Sequence, residues 1–92
     1  VNLGDRFGRT SLMEASALGG STIIRLLLNQ GCDVNARDNL GRTALLDAIR
    51  QGHKRAVKLL LRAHADPTLK SQDGSTAISI ARTKGLESWL VI

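Results

Sequence analysis

An all-α repeat solenoid is the fold this sequence predicts, with short helix-turn-helix units and extended turn fingers stacked side by side. Three observations predict it. First, the chain repeats every 33 residues: Asp5-Arg6-Phe7-Gly8-Arg9-Thr10-Ser11-Leu12 returns as Asp38-Asn39-Leu40-Gly41-Arg42-Thr43-Ala44-Leu45. It returns again, weakened, as Ser71-Gln72-Asp73-Gly74-Ser75-Thr76-Ala77-Ile78. A fixed period over a whole chain means one structural unit stacked on copies of itself. Second, each unit holds two short apolar runs at helical spacing. Third, the most drifted copy still keeps Gly74, Thr76, Ala81 and Gly85, the positions with geometric demands.

Each element of the unit has a physical reason. Thr10 can cap a helix by accepting a backbone N–H on its hydroxyl. Leu12, Ala15 and Ser16 follow on one face, and Gly19-Gly20 ends that helix. Ser21 is expected to cap a second helix, in which Ile23, Ile24, Leu26, Leu27 and Leu28 are apolar. Apolar residues on more than one stripe call for burial on two sides, between neighbouring units. Gly31 closes the second helix in a left-handed conformation. An extended stretch from Asp33 to Arg37 leads to the next tight turn, from Asp38 to Gly41. Helices this short are marginal alone in water, so stacking must stabilise them. The Ala15, Ala48 and Ala81 column keeps adjacent first helices close.

At 92 residues the chain forms one small domain. With one Phe, one Trp and no Tyr, its core is aliphatic. It divides into 1–4, the tail of a preceding unit; 5–37 and 38–70, two full units; and 71–92, an incomplete one. Val1-Asn2 is in register with Val34-Asn35, and Ile92 with Leu59, inside a second helix. The expectation is a segment of a longer array, with Trp89, Leu90, Val91 and Ile92 against further structure. One cysteine, Cys32, forms no internal disulfide, which points to a reducing intracellular compartment, cytoplasmic or nuclear. No apolar run reaches the roughly 18 residues of a membrane span, and no membrane role is expected. Thirteen basic residues against eight acidic ones, a net charge of +5, suggest an acidic or anionic partner.

These residues resemble the ankyrin repeat. Asp5, Gly8, Thr10, Leu12, Ala15, Gly19, Ile24, Leu26-Leu27-Leu28, Gly31 and Asp33-Val34-Asn35-Ala36 fall on the family pattern. So do Asp38, Gly41, Thr43, Leu45, Ala48, Gly52-His53, Val57, Leu59-Leu60-Leu61 and Ala65-Asp66. The family's Pro is replaced by Ser11, Ala44 and Ala77, and its first-helix His by Met13, Leu46 and Ser79. The His half of the family's Thr–His hydrogen-bond ladder is therefore missing. His64 stands where the family has a glycine.

The resemblance implies a binding module that works through its turn tips and the exposed side of its first helices. Carried over, that concave surface holds Arg6, Phe7, Arg9, Ala17, Leu18, Arg37, Asn39, Leu40, Arg42, Arg50 and Gln51. It continues through Lys70, Gln72, Ser75, Thr83 and Lys84. Seven of these are cationic, with only Asp73 nearby to offset them, so the surface reads as basic. Phe7 and Leu40 at matching tips read as apolar anchors beside arginine. The expected partner is a protein or peptide, acidic or mixed acidic and apolar. Arginine suits carboxylates because its fork binds them bidentately. Lys54, Arg55, Lys58 and Arg62 on a second helix read as a solubilising face, with an accessory anionic contact as the alternative.

Other functions have weaker support. Nucleic acid or another polyanion suits the charge, but no aromatic platform or groove-reading helix is present. A structural or targeting segment of a larger protein also stays open. No catalytic, cofactor-binding or metal site is expected, and no small-molecule substrate. His53 and His64 lack partners at metal-ligand spacing. Cys32 reads as a small buried hydrophobe with no base beside it. Glu14 and Asp47 are the same position in two units, not a catalytic pair. Gly19-Gly20 lacks the strand and lysine of a phosphate loop.

Overall fold

A computed structural model describes residues 8–90. Five helices alternate along the chain: α1 (Ser11–Leu18), α2 (Ser21–Asn29), α3 (Ala44–Gln51), α4 (Lys54–Arg62) and α5 (Ala77–Lys84). A 3₁₀ turn, Glu87–Leu90, stands where a third second helix would begin. The first helices α1, α3 and α5 pack side by side in one layer, and α2, α4 and the 3₁₀ turn form the other. No strand occurs among the described residues.

The caps explain where the first helices start. The Thr10, Thr43 and Thr76 hydroxyls accept from the N–H groups of Met13 (3.2 Å), Leu46 (3.3 Å) and Ser79 (3.0 Å). Ser79 returns the bond by accepting from the Thr76 N–H at 2.9 Å, a reciprocal box that strengthens the most drifted unit. The second helices start differently from the sequence expectation. Ser21 is the first residue of α2 and not its cap; Gly20 takes that place, with no side-chain bond. His53 precedes α4 in the same way, because its ring turns back to the neighbouring unit.

Ile24, Leu45, Leu46, Ile49, Val57 and Leu60 form the centre of the core, each at most 1% exposed. Burying such a side chain stabilises the fold by about 1.5–3 kcal/mol. Ala48 and Ala81 are fully buried between first helices, and Ala15 nearly so. Two-sided burial holds for α4, where Ala56, Val57, Leu60 and Leu61 are all buried. It fails for α2, where only Ile24 and Leu27 are buried while Ile23 and Leu26 are 56% and 57% exposed. The flank that α2 covers on α4, at Ala56, has its counterpart on α2 at Ile23, and no described helix covers it. Cys32 is only half-buried against the core edge, and burial raises its thiol pKa. Trp89 and Leu90 also pack partly against the core, while Val91 and Ile92 lie outside the described residues.

The units are tied together by polar contacts as well. Asn35 accepts from the Asp66 N–H at 2.8 Å, and its amide donates to the His64 carbonyl at 3.5 Å. The Gln72 N–H donates to Leu40 O at 2.7 Å, linking successive fingers. That approach needs the glycine at position 41: its φ is +75°, and a Cβ there would stand 3.2 Å from the Ser71 Cα. His64 has φ +69°, a left-handed conformation that costs a side chain more than it costs glycine.

Candidate interaction surface

The finger between units is built on Asp38. Its backbone N–H donates to Arg42 O at 3.0 Å, and its Oδ1 accepts from the N–H groups of Leu40 (2.9 Å) and Arg42 (2.8 Å). Its Oδ2 receives the Arg42 Nε at 2.9 Å and the Arg9 guanidinium at 3.0 Å. Burial opposes ionisation of this carboxyl, but the donors around it outweigh burial and hold it below the ordinary aspartate value. The third finger repeats the plan with less support. Asp73 accepts from the Ser71 hydroxyl and the Ser75 N–H, which hold it well below the usual range.

Arg9 does something the sequence did not suggest. It was expected on the binding surface, but its side chain is only 13% exposed. It donates to Glu14 at 2.8 Å, Asp38 at 3.0 Å and Asp47 at 2.5 Å, spanning the boundary between the first two units. Asp47 is buried, and its burial outweighs the Arg9 pairing, so its pKa is raised. Glu14 and Asp47, equivalent by repetition, are thus joined by one guanidinium. The expectation that only Asp73 offsets the cations of this face is corrected. Glu14, Asp38 and Asp47 also do so: Glu14 meets Arg9 and Asp38 meets Arg42 locally, and folding brings Asp38 and Asp47 onto the distant Arg9.

The remaining predicted residues divide into two groups. Leu40, Arg42, Gln72, Ser71 and Asp73 line one depression with Arg50. Arg50 also lines the next, with Gln51, Ser75, Ser79, Ile80, Thr83 and Lys84. Together these make a continuous groove across the second and third units, uniting Leu40, Arg42, Arg50, Gln51, Gln72 and Lys84. Leu40 is 42% exposed at its mouth. Arg50 is held loosely, by one 3.5 Å contact to the exposed Asp73. The groove does not include Leu18, Asn39, Arg37 or Lys70. Leu18 is bare on α1, Asn39 packs over Gly8, and Arg37 donates to the carbonyls of Gly41 (3.4 Å) and Lys70. Arg6 and Phe7 lie outside the described residues.

His53 has a structural role. Its Nε2–H donates to Ala17 O at 3.0 Å, since a carbonyl can only accept. The ring fills the space a Cβ on Gly19 would need, at 2.7 Å. Among the described residues, no three His, Cys, Asp or Glu side chains could hold a metal ion. No described helix is long and apolar enough to cross a membrane.

A comparison with family models matches residues 1–71 to ankyrin repeats, in a model of three copies. The chain belongs to the ankyrin-repeat family. Ankyrin repeats are protein–protein interaction modules, and their helix-turn-helix stacking is the architecture described above. No curated protein matches the chain.

One group of residues acquired a setting that the sequence reading missed. Arg25 of α2 lines a depression with Lys54, Arg55, Lys58, Leu59 and Arg62 of α4, on the helix layer away from the ankyrin fingers. The signal was present in the repeat: Arg25 is in register with Lys58.

Proposed function

We propose that this ankyrin module binds a protein or peptide segment carrying a carboxylate next to an apolar side chain, in the groove across its second and third units. The observation that supports this is the joint presence of Leu40 and Arg50 in one depression. Leu40 is an apolar side chain kept at a solvent-facing finger tip, the kind of position at which binding energy concentrates. Arg50 is the cation shared by both depressions of the groove. Its terminal Nη2 makes one long ion-pair contact, 3.5 Å to the exposed Asp73. An arriving carboxylate competes with Asp73 for its fork. Gln51, Gln72 and Lys84 provide a polar rim. The encounter belongs in a reducing compartment, cytoplasm or nucleus, on the argument from the single cysteine.

The test is affinity capture with the chain and two single variants, Leu40→Asp and Arg50→Ala, with captured proteins identified by mass spectrometry. Leu40 is exposed and Arg50 half-buried, and neither belongs to the apolar core, so both substitutions leave the core intact. A shared set of proteins lost by both variants is the expected result. Capture unchanged by either variant overturns the groove as the binding surface.

A further inference from the structure

The second helices, on the face opposite the groove, carry charge of one sign. Helices α2 and α4 contain five cations, Arg25, Lys54, Arg55, Lys58 and Arg62, and no Asp or Glu. Those five equal the +5 of the whole chain, so the other eight basic residues are balanced by the eight acidic ones. The ion pairs of Arg9, Arg42 and Arg50 all lie on the finger and first-helix side. Lys58 reaches the Ser88 carbonyl at 3.5 Å, and Glu87 stands exposed on the flanking 3₁₀ turn of the same layer.

We infer that this outer helix layer is a docking surface for an anionic phospholipid bilayer. Three features of the layer support it. Its cations are clustered and of one sign, within the four to eight Lys and Arg by which amphipathic helices hold acidic lipid surfaces. Lys54, Lys58 and Arg62 recur every fourth residue, about 6 Å apart along α4. One apolar side chain lies among them: Leu59, partly buried, lines the depression. Cations flanking an apolar side chain are the composition of a surface that rests in the headgroup region. Five cations and one leucine line the depression, and no carboxylate does, so its lining presents a single sign of charge. Nucleic acid fits less well, because no aromatic side chain lines the depression to stack a base. This inference goes beyond the protein-binding groove, and it leaves that groove facing away from the bilayer.

The experiment is co-sedimentation of the full chain with vesicles of phosphatidylcholine alone and of phosphatidylcholine with about 30% phosphatidylserine, the acidic lipid that such cation clusters bind. The chain is expected to sediment with the acidic vesicles only, and to be released at about 0.5 M salt, where screening shortens the reach of charge. Arg55→Glu with Arg62→Glu, both exposed, is expected to weaken binding at least about tenfold. Lys70→Glu with Arg82→Glu makes the same change of charge elsewhere and is expected to leave binding within about twofold. Circular dichroism of both variants checks that they fold. Absence of binding to acidic vesicles overturns the inference, as does equal binding to neutral ones. Equal losses in the two double variants overturn it by reducing the effect to overall charge. Tighter binding to duplex DNA or polyglutamate at the same salt, lost in the Arg55/Arg62 variant, overturns it in favour of another polyanion.

Discussion

The Arg9 guanidinium lies 2.5 Å from the Asp47 carboxylate, 38 residues away, and closes the boundary between the first two ankyrin units. The same guanidinium holds Asp38 and Glu14. Asp38 and Asp47 are both buried, so their charges depend on arginine. Removing one partner of a buried pair leaves an uncompensated charge, at a cost of about 3–5 kcal/mol. Arg9→Ala is therefore expected to lower stability by about that amount in urea denaturation. Arg9→Leu with Asp47→Leu is expected to cost clearly less than Arg9→Ala, and strictly additive effects would show that the two residues do not interact.

The carboxylates give stability a defined pH dependence. Asp38 has a pKa below its ordinary value of 3.8, so its contribution is full above 3.8 and is lost as pH falls through the folded value. Asp66 and Asp73 act in the same direction. Asp47 acts oppositely, because its folded pKa is raised above 3.8 and acidification towards 3.8 relieves the cost of its buried charge. The urea midpoint is expected to hold or rise slightly from neutral pH towards 3.8, then fall below it. Asp47→Asn should remove the rise, and Asp38→Asn should flatten the fall. A midpoint that drops steadily from neutral pH would contradict this.

Ala48 is fully buried between α1 and α5 on α3. Ala48→Leu adds methylenes where first helices already touch. Overpacking of this kind costs roughly 1–3 kcal/mol. A variant that melts like the parent would refute the close approach at this column.

His64 holds φ +69° at the end of the second unit, with its side chain exposed. Its useful contact is made by the carbonyl, which accepts from Asn35. Glycine keeps that carbonyl and removes the left-handed penalty, at some entropic cost. His64→Gly is expected to be neutral or to stabilise by up to about 1 kcal/mol, and a lowered melting temperature would count against it.

Most of the ankyrin architecture was legible because it is local or periodic. The threonine caps, the left-handed glycines and the buried alanine column each follow from a residue type at a recurring position. Ser21 was misread because a serine next to a helix start resembles a cap, and only the backbone shows that Gly20 precedes the first turn. The groove was legible in part. Leu40, Arg42, Arg50, Gln51, Gln72 and Lys84 converge, because fingers and first helices keep register from unit to unit.

The distribution of charge was not legible. By sequence, Arg9 and Arg42 are cations at exposed tips. Folded, Arg42 meets Asp38 within its own finger, and lateral stacking brings Arg9 onto Asp38 and Asp47 of the next unit. By sequence, α4 carries an ordinary solvated face. Folded, Arg25 joins it from α2, and no carboxylate of either helix offsets the cluster. The sequence by itself determined the unit, its period and the stack, because those depend on caps, turns and apolar spacing within one repeat. Tertiary structure decided which charges are neutralised and which face solvent. Ion pairing depends on distances of a few ångströms between units, and these exist only once the units are packed.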